Sequence, residues 1–342
     1  DYLLKEVLDQ QSPETRRFLI YTSILDHLTA PLCDILMVGD GDAVLTSPSA
    51  VILEELEHAN LFVIPLDQEH RWLRYHHLFS DLLRVTLEQV YPGRTIELHR
   101  RASRWYAAQG MLPAALEHAI SSGDMQLVTQ IVSENVLVLV ENDEILPTLQ
   151  KIDSLPPDAI SVHPWFGIAR AWFLGGRHIE QIHHMLDEAE KNAENIPDTI
   201  ERQRLHGHIA AARAGAYNTQ ADIPNLIRCA QLANELLPSD EVAVRAMNLS
   251  LLGKTLSVYK HDPGAIPILE EALRLALKAK KPHVAMIAAS QLATAHLFAG
   301  RIGALQQICL RALDIAEEYQ SHTQQPFPAT ARIYPLLSRA YA

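Results

Sequence analysis

A helix–turn–helix unit recurs about every 40 residues through the C-terminal half of this sequence, and the repeat constrains the fold more than any other feature. Its turns fall near Gly176, Asn218, His261 and Gly300, which are 42, 43 and 39 residues apart. An alanine-rich amphipathic stretch precedes each turn. A second stretch follows it with apolar residues at i, i+3, i+4 and i+7, as in Ala265, Ile268, Leu269, Ala272 and Leu273. A two-helix unit of this kind cannot bury its apolar stripe alone, so neighbouring units must stack into an α-solenoid. Small residues recur where helices of such an array approach closely, namely Gly253 and Ala272, then Ala293 and Ala312. The register is tetratricopeptide-like, although the consensus aromatic residues are mostly absent. Solenoids present concave surfaces that bind and seldom house chemistry, which predicts a binding module.

The N-terminal part reads differently. Pro13 to Leu25 has a helical apolar period behind a Ser12-Pro13 start, Pro31 to Val38 is a second short helix, and Ser47-Pro48-Ser49 caps a third over Ala50 to His58. Leu61–Leu66 and Arg71–Tyr75 then read as two short strands around an Asp67–His70 turn, and a helix resumes from His77 to Val90. Three helices and a hairpin predict a winged helix. Pro92-Gly93 breaks the chain, and helices follow at Thr95 to Ser121 around Gly110, Met125 to Glu141 and Glu144 to Leu155, before Pro156-Pro157. The expected fold class is therefore mainly all-α: a winged-helix domain with its N-terminal linker over 1–92, an irregular helical connector over 93–160, and tetratricopeptide-like repeats over 161–342.

With 29 basic and 41 acidic residues the chain carries a net charge of −12, which opposes non-specific attraction to nucleic acid or an anionic membrane. Cys33, Cys229 and Cys309 lie far apart, without the spacing of a zinc site or the density of a disulfide framework, so a reducing cytoplasm is expected. There is no signal-peptide pattern, and no apolar run approaches the roughly 20 residues of a membrane span, the candidate Val136 to Val140 being far too short. The start at Asp1 and the stop at Tyr341-Ala342 in a helical pattern lead us to expect a piece of a longer protein.

Catalytic chemistry has no carrier in the sequence. No phosphate loop of the form G-x-x-x-x-G-K-[ST] occurs, and Gly39-Asp-Gly41-Asp42 lacks the lysine and the following helix that such a site needs. The histidine pairs His76-His77, His183-His184 and His206-x-His208 point to different sides of a helix, so no metal is expected. No nucleophile has a helix-spaced histidine and acid beside it. We expect no enzyme activity, no catalytic residues and no cofactor in this stretch. Arg71, Arg74, Arg84, Arg94, Arg100, Arg101 and Arg104 form a basic cluster, read as solvated faces pairing with nearby acids or as a docking surface. In the tetratricopeptide register the first helix of each pair lines the concave face, which directs His208, Ser250, Lys254, Ser257, Ser290 and Thr294 there. Small side chains with a few polar groups leave room for a ligand and can orient it, with Lys254 favouring an anion; the alternative is a merely solvated inner wall.

The string Phe18-Leu-Ile-Tyr-Thr-Ser-Ile-Leu25, then Leu32-Cys33-Asp34, Leu61-Phe62, Leu66-Asp67 and Trp72-Leu-Arg-Tyr-His-His-Leu-Phe-Ser-Asp-Leu-Leu-Arg84, resembles the middle of the MalT-type regulators. These are large ATP-binding LuxR-type transcription activators within the STAND class of signalling ATPases. The resemblance implies an upstream ATPase domain, a winged helix, a helical-repeat sensor and a downstream LuxR-type DNA-binding domain, and hence ATP or ADP bound by the full-length protein. It also implies an inducer or a regulatory protein as partner of the repeats. STAND winged helices often carry a Met-His-Asp-like motif whose histidine approaches the β-phosphate of ADP. Tyr75-His76-His77-Leu78 is similar in position, with Tyr75 for methionine and His77 for aspartate, so the resemblance assigns the phosphate contact to His76. A histidine that only caps the helix and packs under the wing is the alternative reading. For the whole chain the second reading is a freestanding helical-repeat scaffold for protein–protein interaction.

The third helix, which would read DNA in many winged helices, carries Glu54, Glu55 and Glu57 and no lysine or arginine from Ser47 to Asn60. Phosphate and guanine contacts need cationic side chains. The chain is therefore expected to leave duplex DNA unshifted in a gel assay at physiological salt, and a salt-sensitive, sequence-specific shift would contradict this.

Overall fold

The computed structural model describes residues 8, 10–38, 48–59, 62–135, 150–155, 163–174, 178–323 and 331–341. By its contacts the chain forms two compact units, residues 1–131 with 150–155, and residues 132–149 with 156–342.

The first unit begins with α1 (Pro13–Thr22), α2 (Ala30–Met37) and α3 (Ser49–His58), followed by β1 (Val63–Pro65), β2 (Leu73–Tyr75) and α4 (His77–Val90). Ser12 starts α1, its Oγ accepting the Thr15 N–H at 3.1 Å with Pro13 in the first turn. Each helix buries one stripe, Phe18 and Leu19 from α1, Leu32 and Leu36 from α2, Leu53 and Leu56 from α3, and Phe79, Leu83 and Leu87 from α4. The strands pair antiparallel with Val63 opposite Tyr75 and Pro65 opposite Leu73, and Leu28 bridges Leu73 on the other side. Tyr75 locks the hairpin to α1, its hydroxyl 2.7 Å from that of Thr22, both buried. This is the predicted winged helix. Helices α5 (Arg94–Ala108) and α6 (Leu112–Ser121) follow, then α7 (Met125–Asn135), which belongs to this unit up to Ile131 and to the second from Val132; α5 packs on α2 and α4 as well as on α6.

The basic cluster is drawn into local pairs. Arg84 Nη2 lies 2.9 Å from Asp26, Arg100 Nε 2.9 Å from Asp124, and Arg101 Nε 2.9 Å from Glu97, while Arg94 lies over the Tyr21 ring at 5.6 Å.

The second unit contains α8 (Pro164–Leu174), α9 (Ile179–Ala193), α10 (Thr199–Gln220), α11 (Ile223–Leu236), α12 (Val242–Lys260), α13 (Ala265–Lys278), α14 (Pro282–Phe298), α15 (Ile302–Thr323) and α16 (Ile333–Tyr341). It is the predicted array of stacked helix pairs, α8 with α9, α10 with α11, α12 with α13 and α14 with α15. Asp198 and Asp222 cap α10 and α11, their carboxylates accepting backbone N–H groups at 2.8 and 3.2 Å. The turns are left-handed caps at Ala221, His261 and Gly300, with φ of 56°, 50° and 68°. The turn expected near Asn218 thus comes three residues later, because the helix continues to Gln220; Gly176 lies outside the described residues. First helices also touch along the array, α10 with α8 and α12, and α12 with α14, whereas no second helix packs comparably on the next second helix. The first helices are therefore the more crowded, inner layer.

Among the described residues no helix is long and apolar enough to cross a membrane, no group of three His, Cys, Asp or Glu is placed to hold a metal, and the three cysteines are free and buried.

Among the described glycines, the closest approach of a neighbouring helix is at Gly253 of α12. A Cβ built there would stand 2.5 Å from Leu269 Cγ and 2.8 Å from its Cδ2, on α13. Gly215 of α10, by contrast, would meet only Trp172 at 4.0 Å. In a helix interior alanine is favoured over glycine by ~1 kcal/mol, while overpacking costs about 1–3 kcal/mol. Gly215→Ala should therefore stabilise the protein by up to ~1 kcal/mol, and Gly253→Ala should destabilise it by about 1–2 kcal/mol. Paired urea melts of the two variants check this.

Candidate functional site

Two places hold the residues singled out from the sequence, one in each unit. In the winged helix, His76 is the N-cap residue of α4, with φ −60° and ψ 133°. Its N–H donates to Phe62 O at 2.7 Å, and its carbonyl accepts from Phe79 and Ser80 at 2.9 and 3.0 Å. The ring makes no capping hydrogen bond and lies against that of His77, centroids 4.4 Å apart and planes tilted by 30°, half-buried. An imidazole at the start of a 14-residue helix stands in the positive end of the helix dipole, where an anion is favoured. Tyr75, where the motif carries methionine, belongs to the interior through Thr22 and packs edge-on to Phe79 at 5.8 Å. That anchoring leaves His76 as the first residue of the segment able to face outward.

In the second unit the six predicted ligand residues lie on three first-layer helices, His208 on α10, Ser250, Lys254 and Ser257 on α12, and Ser290 and Thr294 on α14. Most of their hydroxyl protons are engaged within their own helices. Ser250 donates to Ala246 O at 2.9 Å, Ser290 to Ile287 O at 2.9 Å and Thr294 to Ser290 O at 2.8 Å. Such back-bonded hydroxyls offer a ligand only acceptor lone pairs. Ser250, Ser257 and Ser290 are buried, and Lys254 reaches across to α10, its Nζ 3.4 Å from Asn218 Oδ1.

His208, 1% exposed, leads to a constellation that the sequence reading missed. Its ring meets Trp165 of α8 edge-on at 4.8 Å, and its Nε2 lies 3.3 Å from Glu241 Oε1 without hydrogen-bond alignment. Arg204, one turn earlier on α10, lies over the Trp165 ring at 4.7 Å and donates from Nε to Glu241 Oε1 at 2.5 Å. Trp165 Nε1 donates to Glu201 Oε1 at 2.7 Å, and Arg204 Nη2 reaches Ser133 O at 3.4 Å. The group spans three consecutive first helices near their N-terminal ends. Its members are separated by 36 and 37 residues, close to one repeat, and that spacing is the signal by which they were legible. A carboxylate held by Arg204 and an indole contacted by cation and imidazole make a polar wall on the inner layer, and both ring nitrogens of His208 are buried in it without a hydrogen-bond partner.

Burial pushes the Glu241 carboxyl up, but His208 and Arg204 pull it down by more, to about 2. A carboxyl depressed in the folded state stabilises it above the unfolded value near 4.5, and that contribution is lost as pH falls from about 4.5 towards 2. Glu241→Gln should cost on the order of 2 kcal/mol at pH 7 and flatten the acid limb of the stability curve over that window. Thermal melts of both proteins between pH 2 and 7 measure the difference.

Comparison with known proteins bears on both places. The profile of the MalT winged helix domain family matches residues 4–95. The HTH-type transcriptional regulator MalT of Vibrio parahaemolyticus is 29% identical over 294 residues, 85% of this chain and 32% of that protein. Its counterpart in Vibrio cholerae is 27% identical over 325 residues, 94% of this chain and 35% of that one. The chain therefore spans about a third of the length of the curated relatives it matches. Among solved structures, a signal transduction ATPase of the STAND class with a tetratricopeptide repeat sensor, from Pyrococcus horikoshii, matches the fold with a TM-score of 0.72 at 16% identity, over 99% of this chain and 49% of that one. The chain thus matches the MalT winged helix domain family over residues 4–95, and along most of its length it is similar to MalT transcriptional regulators.

Proposed function

We propose that this chain is the winged-helix and sensor portion of a ligand-regulated transcription activator. The observation that carries the reading is one of order: a MalT winged helix followed by stacked helix pairs, in a chain that aligns with transcriptional regulators over most of its length. In this reading an inducer or a regulatory protein binds the inner layer of the array through His208, Ser250, Lys254, Ser257, Ser290 and Thr294. Lys254 supplies the cationic contact, and the serine and threonine hydroxyls accept from the ligand. The winged helix couples occupancy to an upstream ATPase domain, which binds ATP or ADP, and a downstream helix-turn-helix of the whole protein reads DNA. Residues 93–160 act as connector between the winged helix of 1–92 and the repeats of 161–342. The protein works in the cytoplasm as a switch component, without catalytic residues of its own in this chain.

The environment of His76 fits a phosphate contact, since its half-buried ring stands at a helix N-terminus with no capping hydrogen bond. ADP bound by the ATPase domain would supply the β-phosphate that distinguishes the closed state, and His76 would hold it there. A contact made only in one state biases the population towards that state.

In the full-length protein, His76→Ala should release ADP at least several-fold faster and raise basal transcription. Unchanged release and unchanged basal transcription reject the role. Lys254→Ala should weaken an anionic inducer by about 1–3 kcal/mol in a calorimetric titration if the lysine holds it in a desolvated site. Full affinity in that variant moves the ligand elsewhere on the array.

A further inference from the structure

The face with which many winged helices read DNA is here built as something else. Between the N-terminus of α2, helix α3 and the hairpin lies a groove of about 930 Å³. Its apolar lining is Pro31, Ala50 and Pro65, which are exposed, over Leu53, Val63 and Leu73, which are buried. Its rim carries Glu54, Glu57, His58 and His70. Glu57 ties α3 to the hairpin through His70 Nδ1 at 2.5 Å, so helix and wing form two fixed walls. Glu54 is exposed, and Glu55 next to it is exposed as well. Arg71, the one arginine on the lining, is paired with Glu69.

Three properties of this groove select its occupant. An acidic rim repels phosphate and attracts lysine and arginine, which removes nucleic acid and favours a cationic partner. The apolar lining comes from α2, α3 and the hairpin together, and a row of aliphatic side chains would cover it, as in the insertion of an amphipathic helix into a groove. Strand addition is poorly served, because β1 has only three residues and ends in Pro65, which has no N–H to offer.

We propose that this groove is a docking site for a cationic amphipathic helix of a partner protein segment, seated by its apolar face on the exposed Pro31, Ala50 and Pro65 with its basic flank against Glu54 and Glu57. The site lies wholly in the first unit and stands whether or not the helical array takes an inducer.

A pair of fluorescent 15-residue peptides of identical Leu/Lys composition tests it on the whole chain at about 0.15 M salt, where attraction at long range is screened. One peptide places its leucines at i, i+3, i+4 and i+7; the other scatters them around the helix. The first should bind and the second should bind at least fivefold more weakly. Glu54→Arg, which reverses one rim charge, and Ala50→Trp, which fills the groove, should each weaken the first peptide at least fivefold. Glu188→Arg makes the same charge change on α9 at a side chain 63% exposed, and should change it less than twofold. Circular dichroism melts establish that each variant is folded. Equal binding of the two peptides, or equal losses in all three variants, would reduce the effect to diffuse attraction towards an acidic chain and overturn the proposal. It would also fall if duplex DNA displaced the first peptide. The same holds if sedimentation showed self-association that Glu54→Arg abolishes, since the groove would then belong to a second copy.

Discussion

The close approach of paired helices across small side chains is the constraint on which the second unit depends. At Gly253 the α12 backbone comes so near Leu269 of α13 that a single methyl group would overlap it. Buried alanines carry the same role along the array, Ala230, Ala272, Ala276, Ala293 and Ala312 among them. Packing this tight fixes the distance between the two helices of a pair and therefore the pitch of the stack. The inner layer of first helices is crowded as a consequence. That crowding brings groups on three consecutive first helices within reach of one another.

The wall formed by Trp165, Glu201, Arg204, His208 and Glu241 is the chemical result. Removing two charges from water is costly, and a buried pair persists only where its geometry is good and its remaining hydrogen bonds are made. Arg204 meets that condition with Glu241, Glu201, the Ser133 carbonyl and the face of Trp165. Glu241, the residue immediately before α12, binds a side chain near the start of α10, so the network ties the start of one repeat to the start of the previous one. On the proposed sensor reading occupancy has to pass from one repeat to the next, and a charged network crossing repeat boundaries offers such a link.

In the first unit the same scaffold that elsewhere reads DNA has been given different chemistry. The core of Phe18, Leu32, Leu56, Phe79 and Leu83 holds helices and hairpin in winged-helix order. The Tyr75–Thr22 hydroxyl pair then fixes the strand that delivers His76 to the head of α4. Acids on α3 and a histidine on the wing turn the reading face into a groove suited to protein. A fold constrains where side chains stand, and the side chains decide what is bound there.

The sequence by itself determined the elements. Apolar periodicity with Ser12-Pro13 and Pro92-Gly93 as punctuation was sufficient for the winged helix, and the 40-residue recurrence was sufficient for the stacked pairs, because both are encoded in local spacing. Charge was legible in the same way, so the acidic character of α3 needed no coordinates. Tertiary structure alone decided which polar residues meet. His208 was visible as an inward position, but Glu241 and Trp165 reach it only because the stack brings residues about one repeat apart to the same level. The hydroxyls of Ser250, Ser290 and Thr294 looked like donors in the sequence, and the helix backbone one turn earlier claims their protons. Ala221 and His261 close their turns in the left-handed conformation without glycine, which no composition rule would have picked out. Side-chain chemistry is written locally, whereas partnership depends on distances that only packing sets.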